Sequence, residues 1–228
     1  MNYNKYISGK RVCFVGGCPN IKGDKQGVNI DGFDVVVKTN GSLYLTDYDY
    51  YLDYGMRCDV LYTNNQFYRE MSPAPADLRN AGVKFMRMKT CSSKDMQMYN
   101  ENLKTEKIST AIDQVNQHVH GALMGCYIFQ DIINQDPAEL HITGIDFFVS
   151  KKSVFQHDNY NEYIDGYLPD RIRNQGNKIN VGKTQDGHDM LSNTMYIYNL
   201  FKDSGTITMP EKIEDLMYSI IDGRVKQS

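Results

Sequence analysis

The stretch RVCFVGGCPNIKGDKQGVNIDGFDVVVKTN, Arg11 to Asn40, decides how this chain is read. It holds two short apolar runs, Val12 to Val15 and Val35 to Val37, each ending in small or polar residues. β-Branched runs of that length read as strands buried on both faces, as in a parallel sheet. Gly16 and Gly17 follow the first run directly, and Pro19 with Asn20 are placed to open a helix there. This is where an α/β sheet takes up nucleotides, because backbone N–H groups and helix N-termini gather beyond the carboxyl ends of the strands. Asn20 and Asn40 each close a strand-plus-turn unit, and a carboxamide both donates and accepts hydrogen bonds.

Working outward, Asp59 to Tyr62 reads as a third strand, which puts Thr63 and Asn64 at its functional end. The Tyr- and Asp-rich segment Ser42 to Tyr54 has no clean period and reads as a surface connection with an irregular helical turn. A helix at Ala76 to Ala81 follows Pro73 and Pro75, and Val83 to Met88 is the next strand. Lys89 to Gln117 is polar, with one helix expected around Asp95 to Leu103. Gly121 starts an apolar helix, Ala122 to Ile133, buried between layers. Leu140 to Thr143 is a strand closing in Gly144, Ile145 and Asp146. A long aromatic loop, residues 146–187, reads as a lid. Asp189 to Phe201 is helical, Thr206 to Thr208 is a small strand, and Pro210 opens a final helix that Gly223 stops. Repeated β then α predicts a three-layer α/β/α sandwich around a mostly parallel, Rossmann-like sheet.

The 228 residues fit one domain, 1–228. A formal net charge of -3 excludes the electrostatic footprint of a nucleic-acid binder. No transmembrane segment and no leader are read from the sequence. The five cysteines are odd in number and form no CxxC pair, so they read as free thiols of a reducing compartment, and a cytoplasmic location is expected. No metal site is expected. Asp47-Tyr48-Asp49 falls in the aromatic segment rather than after a strand, and His118 with His120 lacks a completing pair.

The order and spacing of Cys13, Gly16, Asn20, Ile21, Lys22, Gly27, Ile30, Asp31, Asp34, Val36, Lys38 and Asn40 closely resemble the large sialyl motif of animal-type sialyltransferases. The Gly-x-x-Pro opening also resembles the bacterial sialyltransferases of the same fold. The departures are Gly17 and Cys18, where the animal enzymes favour Asn and Ser. His118 to Phe148 is similar to the small sialyl motif, with His120 standing where the family has Ser or Thr and Phe148 where the bacterial enzymes have a phosphate-binding tyrosine. His157 and Tyr160 lie at about the distance of the family's short His-Tyr motif, with Tyr163 and Tyr167 as further phosphate ligands to weigh. His188-Asp189-x-x-x-Asn193 resembles the very small motif, whose histidine is the catalytic base and whose later glutamate is Asn193 here.

The resemblance implies a GT-A-like sialyltransferase variant, a glycosyltransferase that moves an acidic sugar from a CMP-sugar donor to a glycan or other hydroxyl acceptor. Transfer would invert the anomeric carbon and need neither metal nor cofactor. Donor binding would fall to Gly16, Gly17, Asn20, Asn40, Thr63, Asn64, His120, Gly121, Gly144, Ile145, Asp146 and Tyr160. His157 or Tyr160 would support the leaving phosphate and His188 would take the acceptor proton, a task imidazole suits because its pKa lies near neutrality. Two alternatives stay open at this point: a same-fold transferase using another activated donor (CMP-Kdo or pterin diphosphotransfer), and a non-catalytic nucleotide-binding protein. The sequence leaves the oligomeric state open, a homo-oligomer included.

Overall fold

Seven strands form one all-parallel sheet in the computed structural model, which describes residues 2–39, 48–63, 75–89, 103–147 and 190–223. The strands are β1 (Arg11–Val15), β2 (Val35–Thr39), β3 (Val60–Thr63), β4 (Phe85–Met88), β5 (Lys104–Lys107), β6 (Glu139–Thr143) and β7 (Ile207–Thr208), in spatial order β5-β4-β3-β2-β1-β6-β7. From β1 the chain adds strands outward on one side through β5, then returns to pair β6 against the other side of β1. The reversal puts a topological switch point between β1 and β6, and beyond the carboxyl ends of the strands at such a point α/β sheets form their ligand-binding crevice.

Both faces of the sheet are covered, which is why β1 and β2 carry the unbroken apolar runs Val12 to Val15 and Val35 to Val37. On one face Val12, Phe14, Val37, Tyr62 and Ile142 pack against α1 (Tyr3–Ile7), α5 (Ser109–Asn116), α6 (Met124–Ile133), α7 (Met190–Ser204) and α8 (Glu211–Ile221). On the other, Cys13, Val15 and Val36 meet α2 (Gly27–Asp31) and α3 (Tyr48–Tyr54), while Leu61, Met86 and Met88 meet α4 (Pro75–Asn80). Burying each such Val, Leu or Phe is worth about 1.5 to 3 kcal/mol. The expected three-layer sandwich is therefore the fold, with a sheet parallel in every pairing.

Three expectations are corrected. The polar stretch after Lys89 contains a strand and a helix that were not expected, β5 and α5; the helix expected around Asp95 to Leu103 lies, but for Leu103, outside the described residues. β5 is an edge strand, so of its KTEK only Thr105 turns fully inward, and its pattern is invisible as a buried run. α5 buries just Ala111 and Val115. The segment before Tyr54 is no mere surface connection: α3 carries Tyr54 and Tyr50 into the second core. The apolar helix begins at Met124 rather than Ala122, because Gly121 has φ +64° in a turn and Leu123 is extended.

A buried polar network pins the first face. Asp131 on α6 accepts from Arg87 Nε (3.0 Å) and Nη2 (2.8 Å) and from the Tyr62 hydroxyl (2.7 Å), which in turn meets Tyr3 Oη at 2.6 Å. The Arg87 guanidinium also lies 4.1 Å from the Tyr3 ring centroid. Four elements are thus joined through one carboxylate. Removing it would leave the buried guanidinium with only the half-exposed Glu106 to offset its charge and the Tyr62 hydroxyl without its acceptor, so Asp131→Ala is expected to lower the unfolding free energy by about 3 kcal/mol, the low end of the range for breaking a buried pair. Urea denaturation checks this; a loss below about 1 kcal/mol would contradict it.

Candidate active site at the split between two central strands

The turns that leave β1 and β6 lie in backbone contact. Gly16 N–H donates to Thr143 O at 2.9 Å and Cys18 N–H to Gly144 O at 3.0 Å, so the strand pairing continues past the ends of both strands. A Cβ at Gly16 would fall 2.2 Å from Gly144 O, and one at Gly144 would fall 2.6 Å from Gly16 O. Gly144 also has φ +65°. Glycine is required at both positions, by close approach and at Gly144 by conformation as well.

Asn20 lies in a single 3-10 turn, Pro19–Ile21, the short form of the helix expected there. Its Nδ2 donates to Ile145 O at 2.5 Å, bridging the two turns. Reversing the carboxamide would set two acceptors against each other, so the hydrogen-bonding pattern fixes its orientation. Its Oδ1 is buried and has no hydrogen-bond partner. Such an atom costs free energy until a donor reaches it. Next to it, the Cys18 thiol donates to Asp146 Oδ1 at 3.1 Å. Burial, and then the adjacent Asp146 charge, raise the Cys18 pKa well above the usual thiol range. Phe147, one residue on, is buried with φ +53°, a strained conformation for an aromatic residue that its core packing holds in place.

The β1 turn is held from outside by residues that sequence reasoning passed over. Tyr54 on α3 donates its hydroxyl to Cys18 O at 2.8 Å. Asp53 accepts from Gly23 N and Lys25 N, both at 2.8 Å. Lys212 on α8 donates to Asn20 O at 2.6 Å and pairs with Asp24. The one local signal was in Asp53-Tyr54 itself, a buried-type aromatic beside an acid at the end of a segment lacking a period. The reach of Lys212 had none.

Of the expected donor ligands, the fold brings Gly16, Gly17, Asn20, Gly144, Ile145 and Asp146 to this one crevice. Thr63 ends β3, two strands away along the same edge. His120 is exposed beside Gly121 in the turn ahead of α6. Asn193, at the position of the family's glutamate, is buried and caps α6: its Oδ1 accepts from Leu123 N at 2.7 Å and from the Cys126 thiol at 3.2 Å. Asn40, Asn64, Phe148, His157, Tyr160, Tyr163, Tyr167 and His188 lie outside the described residues. Among the described residues no cluster of metal-ligating side chains is found, and no helix is long and apolar enough to cross a membrane.

The crevice therefore presents an acceptor, Asn20 Oδ1, beside the buried Asp146, framed by backbone that only glycine permits. It is suited to a ligand face rich in O–H or N–H groups. No protein-family model matches the chain, and no curated protein matches it in sequence. Solved structures do match its fold. The sialyltransferase CstII from Campylobacter jejuni, solved with cytidine-5'-monophosphate, superposes with TM-score 0.58 at 14% identity, over 89% of this chain and 80% of that one. An alpha-2,3-sialyltransferase from Campylobacter jejuni gives TM-score 0.55 at 16% identity, over 92% and 79%. A mammalian sialyltransferase gives 0.53 at 14%, over 92% and 71%. The chain has the fold of the sialyltransferases.

Proposed function

We propose that this protein is a glycosyltransferase that moves sialic acid or a similar acidic sugar from a CMP-sugar to an acceptor hydroxyl, with inversion and without a metal. The observation that carries the reading is the orphaned Asn20 Oδ1 at the β1/β6 crevice. An acceptor held there with its Nδ2 already committed selects a ligand that donates. A nucleoside supplies such donors in its ribose hydroxyls, and cytosine adds an exocyclic amine; an ionised phosphate supplies none. The floor of the crevice is accordingly read as the nucleoside subsite. The phosphate then points away from Asn20, toward groups elsewhere on the sheet edge. The shared fold with sialyltransferases, one of them solved with CMP, supports the same reading.

The proposed chemistry is a displacement at the anomeric carbon. The acceptor oxygen forms the new glycosidic bond as the bond to the CMP phosphate breaks, and the acceptor proton passes to His188. CMP leaves with the bonding electron pair. Stabilising that developing phosphate charge is a large catalytic term in such reactions, and His157 or Tyr160 is assigned to it.

Asn20→Ala is expected to weaken CMP binding by about 1 to 2 kcal/mol, the usual effect of removing a buried hydrogen-bonding partner. Isothermal calorimetry reads this directly, and an unchanged Kd would remove Asn20 from the donor site. His188→Ala should leave CMP affinity nearly intact while lowering transfer by about 10² to 10⁴-fold. Because a base must be unprotonated to act, wild-type kcat/KM should fall as pH drops below about 6.5, the ordinary imidazole pKa, and the variant should lose that limb. Transfer that stops on chelation and returns with a divalent ion would contradict the metal-free mechanism. Tight CMP binding with no turnover on any CMP-sugar would replace the enzyme by a nucleotide-binding protein.

A further inference from the structure

Lys89 follows β4 directly, on the same carboxyl edge of the sheet as the β1/β6 crevice. Its N–H donates to Thr63 O at 3.1 Å, which pins its backbone to the end of β3. The ammonium stands 4.1 Å from the ring centroid of Tyr127, near the start of α6. A ring face attracts a cation but carries no net charge to neutralise it. Among the described residues no carboxylate pairs with Lys89, whereas Lys84 is matched to Asp59 and Lys212 to Asp24. Lys89 is half-buried, and that burial lowers its pKa. The one titratable group among the described residues that acts on it, the Cys126 thiol, is itself pushed up to about 12 by burial and stays uncharged. A partly desolvated ammonium without a counter-charge is costly until an anion completes it.

We propose that Lys89 receives an anionic oxygen group of the sugar nucleotide, either its phosphate or the carboxylate of its acidic sugar. The inference rests on the donor-site reading above and extends that site from the nucleoside to the charged part of the ligand. Asn20 Oδ1 is an acceptor and repels an anion, so the charged part needs a cation elsewhere on the edge. β4 lies three strands from β1, about 14 Å at the spacing of neighbouring strands. A nucleotide sugar held by its nucleoside at Asn20 reaches across that span, and a bare nucleoside stops short. An ammonium has three donors, and contact with a ring face leaves it able to hydrogen-bond an oxygen.

The test compares the wild type with Lys89→Met, which keeps an apolar stem over Tyr127 and removes the charge, and with Lys89→Arg, which keeps the charge. Calorimetry with cytidine, CMP and CMP-sialic acid reads affinity, and thermal unfolding serves as the control for folding. Lys89→Met is expected to leave cytidine binding unchanged and to weaken CMP-sialic acid binding about tenfold, the scale of one hydrogen bond to a charged group. Lys89→Arg should recover most of that loss. A matching loss with CMP assigns Lys89 to the phosphate, and CMP binding as in the wild type assigns it to the sugar carboxylate. In the wild type the Lys89 pKa, followed by NMR of its ε-methylene, should rise when CMP-sialic acid is bound, because a nearby anion favours the charged form. Unchanged binding of all three ligands by Lys89→Met overturns the proposal. So does an equal loss with cytidine, which marks a disturbed fold and not a lost anion contact. A Lys89 pKa that stays put in the CMP-sialic acid complex overturns it as well. A wild type that binds none of the three ligands overturns the donor reading itself, and the role of Lys89 with it.

Discussion

The structure depends on a backbone contact that side chains would forbid. The turns leaving β1 and β6 touch at Gly16 and Gly144, where an added Cβ would fall within 2.2 to 2.6 Å of the opposite carbonyl oxygen. No rotamer change relieves such a clash, because the obstructing atoms are backbone. The contact brings Asn20 within reach of Ile145 O and Cys18 within reach of Asp146. Everything argued about the crevice follows from it. The switch in strand order opens the space, and the two glycines bring its walls close enough for one carboxamide to span them.

Support for that contact is spread across the chain. The layer of α2 and α3 supplies Asp53 and Tyr54, the opposite layer sends Lys212 from α8, and each ends on the backbone or an acidic side chain of the segment between Cys18 and Lys25. Below, the Arg87–Asp131–Tyr62–Tyr3 network ties α6 to the sheet, and Asn193 ties α7 to the first turn of α6. A ligand site is more precise when built on elements locked in this way. The strained φ of Phe147 is consistent with such over-determination, because only well-packed surroundings hold an aromatic residue there.

Much of this could be read in the sequence, and the limits are physical. β1 and β2 were legible because central parallel strands are buried on both faces and so appear as unbroken valine-rich runs. Gly16, Asn20 and Gly144 were legible because they follow strands, where function concentrates. β5 was not, since an edge strand hides one residue in four and its KTEK looks like loop. α3 reads as a surface connection in the sequence because its buried positions are tyrosine and aspartate, residues that carry no hydrophobic period. The start of α6 was misplaced by two residues because its cap, Asn193, stands 70 positions away, and no local signal encodes a cap supplied by another helix. The orphaned acceptor on Asn20 was also beyond reach of the sequence. That an asparagine stands there is visible, but that its Nδ2 is already spent on Ile145 is a fact of three dimensions.

The central claim is that the β1/β6 crevice is the nucleoside site. Amide chemical-shift mapping during titration with CMP tests it most directly. The account predicts that the largest perturbations fall on Gly16 to Asn20 and on Gly144 to Asp146, with the amino ends of the same strands, Arg11 and Glu139, unmoved. Saturable shifts centred elsewhere, with both turns silent, would contradict it.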